Sequence, residues 1–155
     1  MSALRIGIAA DHGGFAMKEQ IVAELREAGY ELIDFGAVKF DASDDYPDFV
    51  IPLAKAVGEG RLDRGIALCA SGVGASIAAN KVPGVRGALV HDHYSAHQGV
   101  EHDDMNIICL GSAVVGRALA IELVQSFLAA SFSGDERHRR RLDKVAVLED
   151  KAAGT

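Results

Sequence analysis

The chain has no tryptophan, only two cysteines, and no apolar run approaching the length of a membrane helix among its 155 residues. A hydrocarbon span needs about 18 or more consecutive apolar residues, so a transmembrane helix is excluded. Cys69 and Cys109 are too few and too far apart for a disulfide framework or a cysteine zinc site, and both are expected as reduced thiols. Aromatic residues make up 6% of the chain, and 22 acidic side chains outnumber 16 basic ones for a formal charge of −6. That balance argues against a protein that coats nucleic acid, which needs a continuous basic face and stacking rings. The start of the chain lacks a signal-peptide layout, because Arg5 interrupts a short apolar stretch that runs into Asp11, and a cytoplasmic location is expected. No repeat, linker or low-complexity segment divides the sequence. With 49% hydrophobic residues, a chain of this size can bury a core without staples. One domain over residues 1–150 and a frayed tail over 151–155 are expected.

What is present is an alternation. Short apolar, β-branched stretches recur, each followed by a turn and then a helical pattern. The first, Leu4-Arg5-Ile6-Gly7-Ile8-Ala9, ends at Asp11-His12-Gly13-Gly14. Met17, Ile21, Leu25 and Ala28 then recur at i,i+4 with Val22 alongside, and Gly29 closes that helix. Further strands are expected at Glu31 to Phe35, Gly65 to Cys69, Arg86 to Val90 and Asn106 to Leu110, with helices starting near Pro47, Gly74, Tyr94 and Val115. Strands and helices in this order are joined by right-handed crossovers. The expected fold class is therefore α/β: a Rossmann-like open parallel sheet of about five strands with helices on both faces. Past Leu128 the pattern breaks, and Ser133-x-x-Glu136 reads as a capping box opening one more helix. That helix carries Arg137, His138, Arg139, Arg140, Arg141 and Lys144, then Val145 and Leu148, and is expected to extend beyond the domain's own core.

In such a sheet, ligands bind beyond the carboxyl ends of the strands. Four of those stations carry reactive groups: Asp11-His12-Gly13-Gly14, the segment from Cys69 to Gly74, His91-Asp92-His93, and Gly111-Ser112. The second is the most specific. Cys69, followed by the small residues Ala70, Ser71, Gly72 and Gly74 and then a helix, gathers backbone N–H groups and a helix N-terminus around one spot, which favours an anion. The same field favours the thiolate of Cys69, available as a general base or a nucleophile. The plainer alternative is a small strand-end residue beside a tight turn, since Ile77 stands where G-x-G-x-x-G would have its last glycine. Asp11 and His12 suit a proton shuttle or a polar substrate; alternatively, Asp11 caps the following helix. His91, His93, His97 and His102, interspersed with Asp92, Asp103 and Asp104, match no zinc signature, so no metal is expected, and His102 is the histidine singled out. Arg137 and Arg141 share a helix face at i,i+4, a geometry for gripping phosphate, with a solvated helix face as the alternative.

Taken together, Ala10-Asp11-His12-Gly13-Gly14, Asp45-Tyr46-Pro47, Cys69-x-Ser71-Gly72-Val73-Gly74-x-Ser76-Ile77-Ala78-Ala79-Asn80-Lys81, His102 and Arg137-His138-x-x-Arg141 resemble the type B ribose-5-phosphate isomerases over nearly the whole chain. That family also contains allose- and galactose-6-phosphate isomerases. The resemblance implies an aldose-ketose isomerisation through an enediol that uses neither cofactor nor metal. Cys69 matches the proton-abstracting base of the cysteine-using branch, and Ala75 stands where the other branch has Glu. The Ser71 hydroxyl and the N–H groups of Gly72, Val73 and Gly74 match the groups that stabilise the developing oxyanion. His102 matches the acid/base of ring opening, with Asp11 handling a sugar hydroxyl and Asp103 beside it. His12, Tyr46, Arg137 and Arg141 match phosphate-end residues. The two arginines are implied to come from the partner subunit of a homodimer, or of a tetramer built from such dimers.

Three positions depart from the family pattern. Ala113 stands where many relatives have a phosphate-binding Arg, Asp103 where Asn is common, and Ala70 where Gly is frequent. The implied reaction interconverts ribose 5-phosphate and ribulose 5-phosphate. An isomerase acting on allose 6-phosphate, another sugar phosphate or a free sugar is the alternative that Ala113 sustains. A non-catalytic sugar-phosphate-binding domain is a third reading, although mere binding has no use for Cys69, His102 and Asp11 together. Neither nucleic acid nor membrane is an expected partner.

Overall fold

The computed structural model describes residues 3–154, with backbone only at 152 and 153. Its elements are β1 (Ile6–Ala10), α1 (Phe15–Glu27), β2 (Leu32–Asp34), α2 (Pro47–Gly58), β3 (Arg64–Cys69), α3 (Val73–Asn80), β4 (Gly87–Leu89), α4 (His93–Asp103), β5 (Ile107–Gly111), α5 (Arg117–Ala129) and α6 (Glu136–Ala153). The five strands form one parallel sheet in the order β2-β1-β3-β5-β4. The expected α/β architecture is the one observed. No described helix is long and apolar enough to cross a membrane.

The two faces of the sheet differ in side-chain size, and the period-two alternation of the strands explains it. Ile6, Ile8, Ile66, Leu68, Ile108 and Leu110 point to one face, where α1, α4 and α5 cover them with Ile21, Leu25, Val100, Leu123 and Phe127. The other face presents Ala9, Ala67, Cys69 and Cys109 to Leu53, Ala54, Ala75 and Ala79 of α2 and α3. Small strand residues let α2 lie close. A Cβ on Gly7 would come within 2.6 Å of both Leu53 Cδ1 and Leu62 Cδ1. The same alternation sets Cys69 on the α3 side, where that helix begins.

The start of the last helix differs from expectation. Ser133 is not the N-cap of the last helix: Asp135 holds that position without a side-chain capping bond, and the Ser133 hydroxyl meets the His138 ring at 2.6 Å and accepts the Asp135 N–H at 3.2 Å. The end of α6 reaches into the last residues of the chain. Two alanines, the best helix formers, carry α6 to Ala153. Only Thr155 of the expected tail lies outside the described residues. α6 is also anchored on its own domain at both ends, by His138 beneath α4 and by Glu149, whose Oε1 accepts the Gly84 N–H at 3.0 Å. Between those anchors Val145 and Leu148 stay exposed.

Candidate active site

The strand order reverses direction between β1 and β3, which opens a crevice at their carboxyl ends. The loops after β1, β3 and β5 meet there and bond to one another. The Ser112 hydroxyl donates to the Gly13 carbonyl, the Ser112 N–H to the Cys69 carbonyl at 3.0 Å, and the Ala113 N–H to the Ala70 carbonyl at 2.9 Å. The Gly111 N–H donates to His91 Nε2 at 3.0 Å. The four sequence stations thus converge as expected.

Cys69 is 6% exposed, and its Sγ accepts the Gly72 N–H at 3.1 Å. Gly72 adopts φ +77°, and a Cβ there would lie 2.8 Å from the Leu110 carbonyl carbon, so the turn requires glycine. The Ser71 hydroxyl accepts the Val73 N–H at 3.2 Å. The sulfur thus meets the N–H of the α3 N-cap residue, while the first N–H of the helix itself goes to Ser71. Cys109, by contrast, is fully buried one strand away, and burial, followed by the neighbouring Cys69, pushes its thiol up to about 12. Tyr46, the N-cap residue of α2, lies over Gly74, where a Cβ would be 3.0 Å from its Oη.

Asp11 is buried, and its Oδ1 accepts the Gly14 N–H at 3.2 Å. His12 has a partner that the sequence did not reveal. Asp44 Oδ1 accepts its backbone N–H at 2.8 Å and lies 2.7 Å from its Nδ1. That hydrogen bond, helped by the negative charge of Asp11, raises the His12 pKa above its ordinary value against a smaller opposing effect of burial. Asp44 sits in the acidic run Asp41-Ala42-Ser43-Asp44-Asp45, which reads as a solvated loop, and only its long-range partner distinguishes it. Ligand atoms of Asp11, His12 and Asp44 lie within 4.8 Å of one another, close enough for a cation to bridge. The contact between His12 Nδ1 and Asp44 Oδ1 already occupies that space, and an ion would have to displace it.

The remaining expected site residues do not join this group within one chain. α4 begins after the carboxyl end of β4 and runs back, so His102 and Asp103 in its last turn lie toward the amino ends of the strands. Five residues of β5 separate that level from Gly111, roughly 13 Å along the strand. α5 likewise runs back, which places the start of α6, with Arg137 and Arg141, at the same end. The Ser133 N–H donates to the Glu101 carbonyl at 2.9 Å, joining this connection to α4. Arg137 and Arg141 are exposed and have no ion-pair partner among the described residues. His102 therefore groups with the arginines and not with Cys69 of its own chain. The missing signal was the helix direction: α4 carries its last turn away from the crevice.

A family model described as Ribose/Galactose Isomerase matches residues 6–145. Ribose-5-phosphate isomerase B of Escherichia coli is 40% identical over 95% of this chain and 97% of its own. Among solved structures, ribose-5-phosphate isomerase B of Clostridium thermocellum superposes with a TM-score of 0.91 at 47% identity, covering 96% of this chain and 99% of that one. The enzyme from Mycoplasma genitalium, solved with bound ribulose 5-phosphate, gives a TM-score of 0.91 at 40% identity over 97% of this chain and 99% of its own.

Proposed function

Because this chain belongs to the ribose/galactose isomerase family, we propose that it interconverts ribose 5-phosphate and ribulose 5-phosphate by proton transfers alone, in sites completed between two copies of the chain. The observation that carries this reading is Cys69 set against the N–H groups that open α3, with Asp11 and the His12–Asp44 pair beside it.

Ring opening comes first. His102 as imidazolium gives a proton to the ring oxygen, the bond from C1 to that oxygen breaks, and the C1 hydroxyl proton leaves toward Asp11 to form the aldehyde. The Cys69 thiolate then takes the proton from C2. The electron pair moves through C1 onto the carbonyl oxygen, and Ser71, Gly72, Val73 and Gly74 stabilise the negative charge there. Return of the proton to C1, with transfer of the O2 proton to O1, leaves the 2-ketose. His12, whose pKa the Asp44 hydrogen bond raises, binds the phosphate with Tyr46, and Arg137 and Arg141 of the second copy close around it. A homodimer brings His102, Asp103 and these arginines to the partner's Cys69. Dimers pairing into tetramers would leave this arrangement unchanged.

The test is isomerase activity on a panel of ribose 5-phosphate, allose 6-phosphate and free sugars, with and without chelator. Ribose 5-phosphate should be the best substrate and chelator without effect. Cys69→Ala should fold, bind the sugar phosphate and lose at least roughly 10²-fold in kcat, the scale of a general base. Near-normal turnover in that variant would place the base elsewhere.

A further inference from the structure

One buried imidazole has no part in the chemistry above. His138 lies one residue after Arg137, yet it is 1% exposed while both arginines stand in solvent. Its ring stacks on that of His102, with centroids 4.1 Å apart and planes 25° from parallel. The Ser133 hydroxyl holds its Nδ1 at 2.6 Å, and Ser133 is itself tied through its N–H to the Glu101 carbonyl, next to His102 in sequence. The other ring nitrogen, Nε2, is buried without a hydrogen-bond partner among the described residues. The edge of His102 is held as well, with the Gln98 side-chain amide 2.8 Å from Nδ1.

We propose that His138 is a positioning residue for ring opening: its flat face fixes the His102 imidazole against rotation, with Gln98 setting the edge, so that the free nitrogen of His102 is aimed at the substrate. This rests on the reading of His102 as the ring-opening acid. Three observations separate it from ordinary core filling. In a turn whose other residues, Arg137, Arg139, Arg140 and Arg141, are exposed, a single polar ring turns inward. That ring makes one hydrogen bond, which orients it toward the α4 connection. And its broad face meets one specific side chain. Burial, then the neighbouring His102 and Arg137, lowers the His138 pKa, which disfavours a positive charge on the supporting ring. Orientation matters because a displacement of about 1 Å in a reacting group can lower the rate roughly 10²-fold.

The experiment separates ring opening from enediol chemistry. Ribulose 5-phosphate has its C5 oxygen esterified and no five-membered ring to open. Exchange of its C1 hydrogen with solvent deuterium therefore needs Cys69 but not ring opening. In His138→Ala, turnover of ribose 5-phosphate should fall roughly 10- to 100-fold while C1 exchange stays within about threefold of the wild-type protein. His138→Phe, which keeps a flat ring and removes both nitrogens, should restore most of the turnover. Circular dichroism and thermal melting report folding, and if the alanine variant does not fold, the phenylalanine variant alone decides by retaining turnover. The proposal is overturned if turnover and exchange fall together, if neither falls, or if a folded His138→Phe is as impaired as the alanine variant. Wild-type protein inactive on ribose 5-phosphate, or His102→Ala with full activity, would instead overturn the functional reading beneath it.

Discussion

Replacing Gly72 by alanine measures how tightly the turn after Cys69 is built, and Gly60 supplies a matched control. Both residues are left-handed, with φ +77° and +73°. A Cβ on Gly60 would meet nothing within 4 Å, whereas on Gly72 it would lie 2.5 Å from Leu89 Cδ1, 2.8 Å from the Leu110 carbonyl carbon and 3.0 Å from the Gly111 nitrogen. The leucine side chain can swing aside; the two backbone atoms belong to buried β5 and cannot. Gly60→Ala should therefore lose only the left-handed penalty, about 1–2 kcal/mol, offset by about 0.4–1 kcal/mol from a stiffer unfolded chain. Gly72→Ala adds overpacking of roughly 1–3 kcal/mol. At this domain size the added destabilisation corresponds to about 2–12 °C between the two Tm values, measured by calorimetry at one protein concentration because association shifts Tm. Activity should separate them further. The Gly72 N–H touches Cys69 Sγ at 3.1 Å, and moving it by about 1 Å should reduce kcat roughly 10²-fold, while Gly60→Ala stays at the wild-type value. Equal Tm values together with full activity in Gly72→Ala would refute the idea that this turn holds the thiol in place.

Asp44→Asn should lower the His12 pKa, since the carboxylate hydrogen bond is the main cause of its elevation, and the pH at which KM begins to rise should move down with it. For stability the sign is the same: the raised pKa stabilises the fold fully below the unfolded value of about 6.5, and this is lost as pH rises through the folded value. The stability gap between wild type and variant should therefore shrink toward alkaline pH, and an unchanged His12 titration by NMR would contradict the pairing. Mixing Cys69→Ala protein with His102→Ala protein should recover activity after subunit exchange, because one of the two heterodimer sites is then intact; no recovery would mean that each site is built within one chain. Ala113→Arg should raise kcat/KM for ribose 5-phosphate by roughly 10- to 150-fold if the absent charged contact is uncompensated, at about 1.5–3 kcal/mol for such a bond. Arg117 is paired with Glu24 at 3.1 Å and Arg139 bonds the Gly134 carbonyl at 2.7 Å, so neither is free to substitute, and no gain in the variant would mean that His12, Arg137 and Arg141 already suffice for the phosphate.

The strands and the crevice were legible because they depend on local pattern. Ile6, Ile8, Ile66 and Leu68 alternate with small residues, and each run stops at Gly, Asp or Ser, so the position of Cys69 at a strand end followed from the sequence. What stayed hidden depends on contacts between distant segments. Asp44 looks like any acid in a polar loop until it meets His12, and His138 looks like one more polar residue among arginines until it meets His102. Ser133 misled for a related reason. Its spacing to Glu136 fits a capping box, but the helix starts two residues later, and the hydroxyl is shared between the N–H of the N-cap residue Asp135 and the buried His138 ring.

The cross-bonds among the Gly13, Ala70 and Ser112 loops bear on how ligand binding is coupled to concentration. A pocket whose walls are already bonded to one another loses little conformational freedom when a sugar phosphate enters, so little of the binding free energy is absorbed in ordering loops. In the proposed two-copy site, the larger entropy loss would come from holding two chains together and from the long arginine side chains of the second copy. Substrate, by bridging both halves, then stabilises the assembled form through mass action. Dilution would act as an inhibitor of such a protein, substrate as its antidote, and specific activity would depend on how many copies of the chain the solution holds.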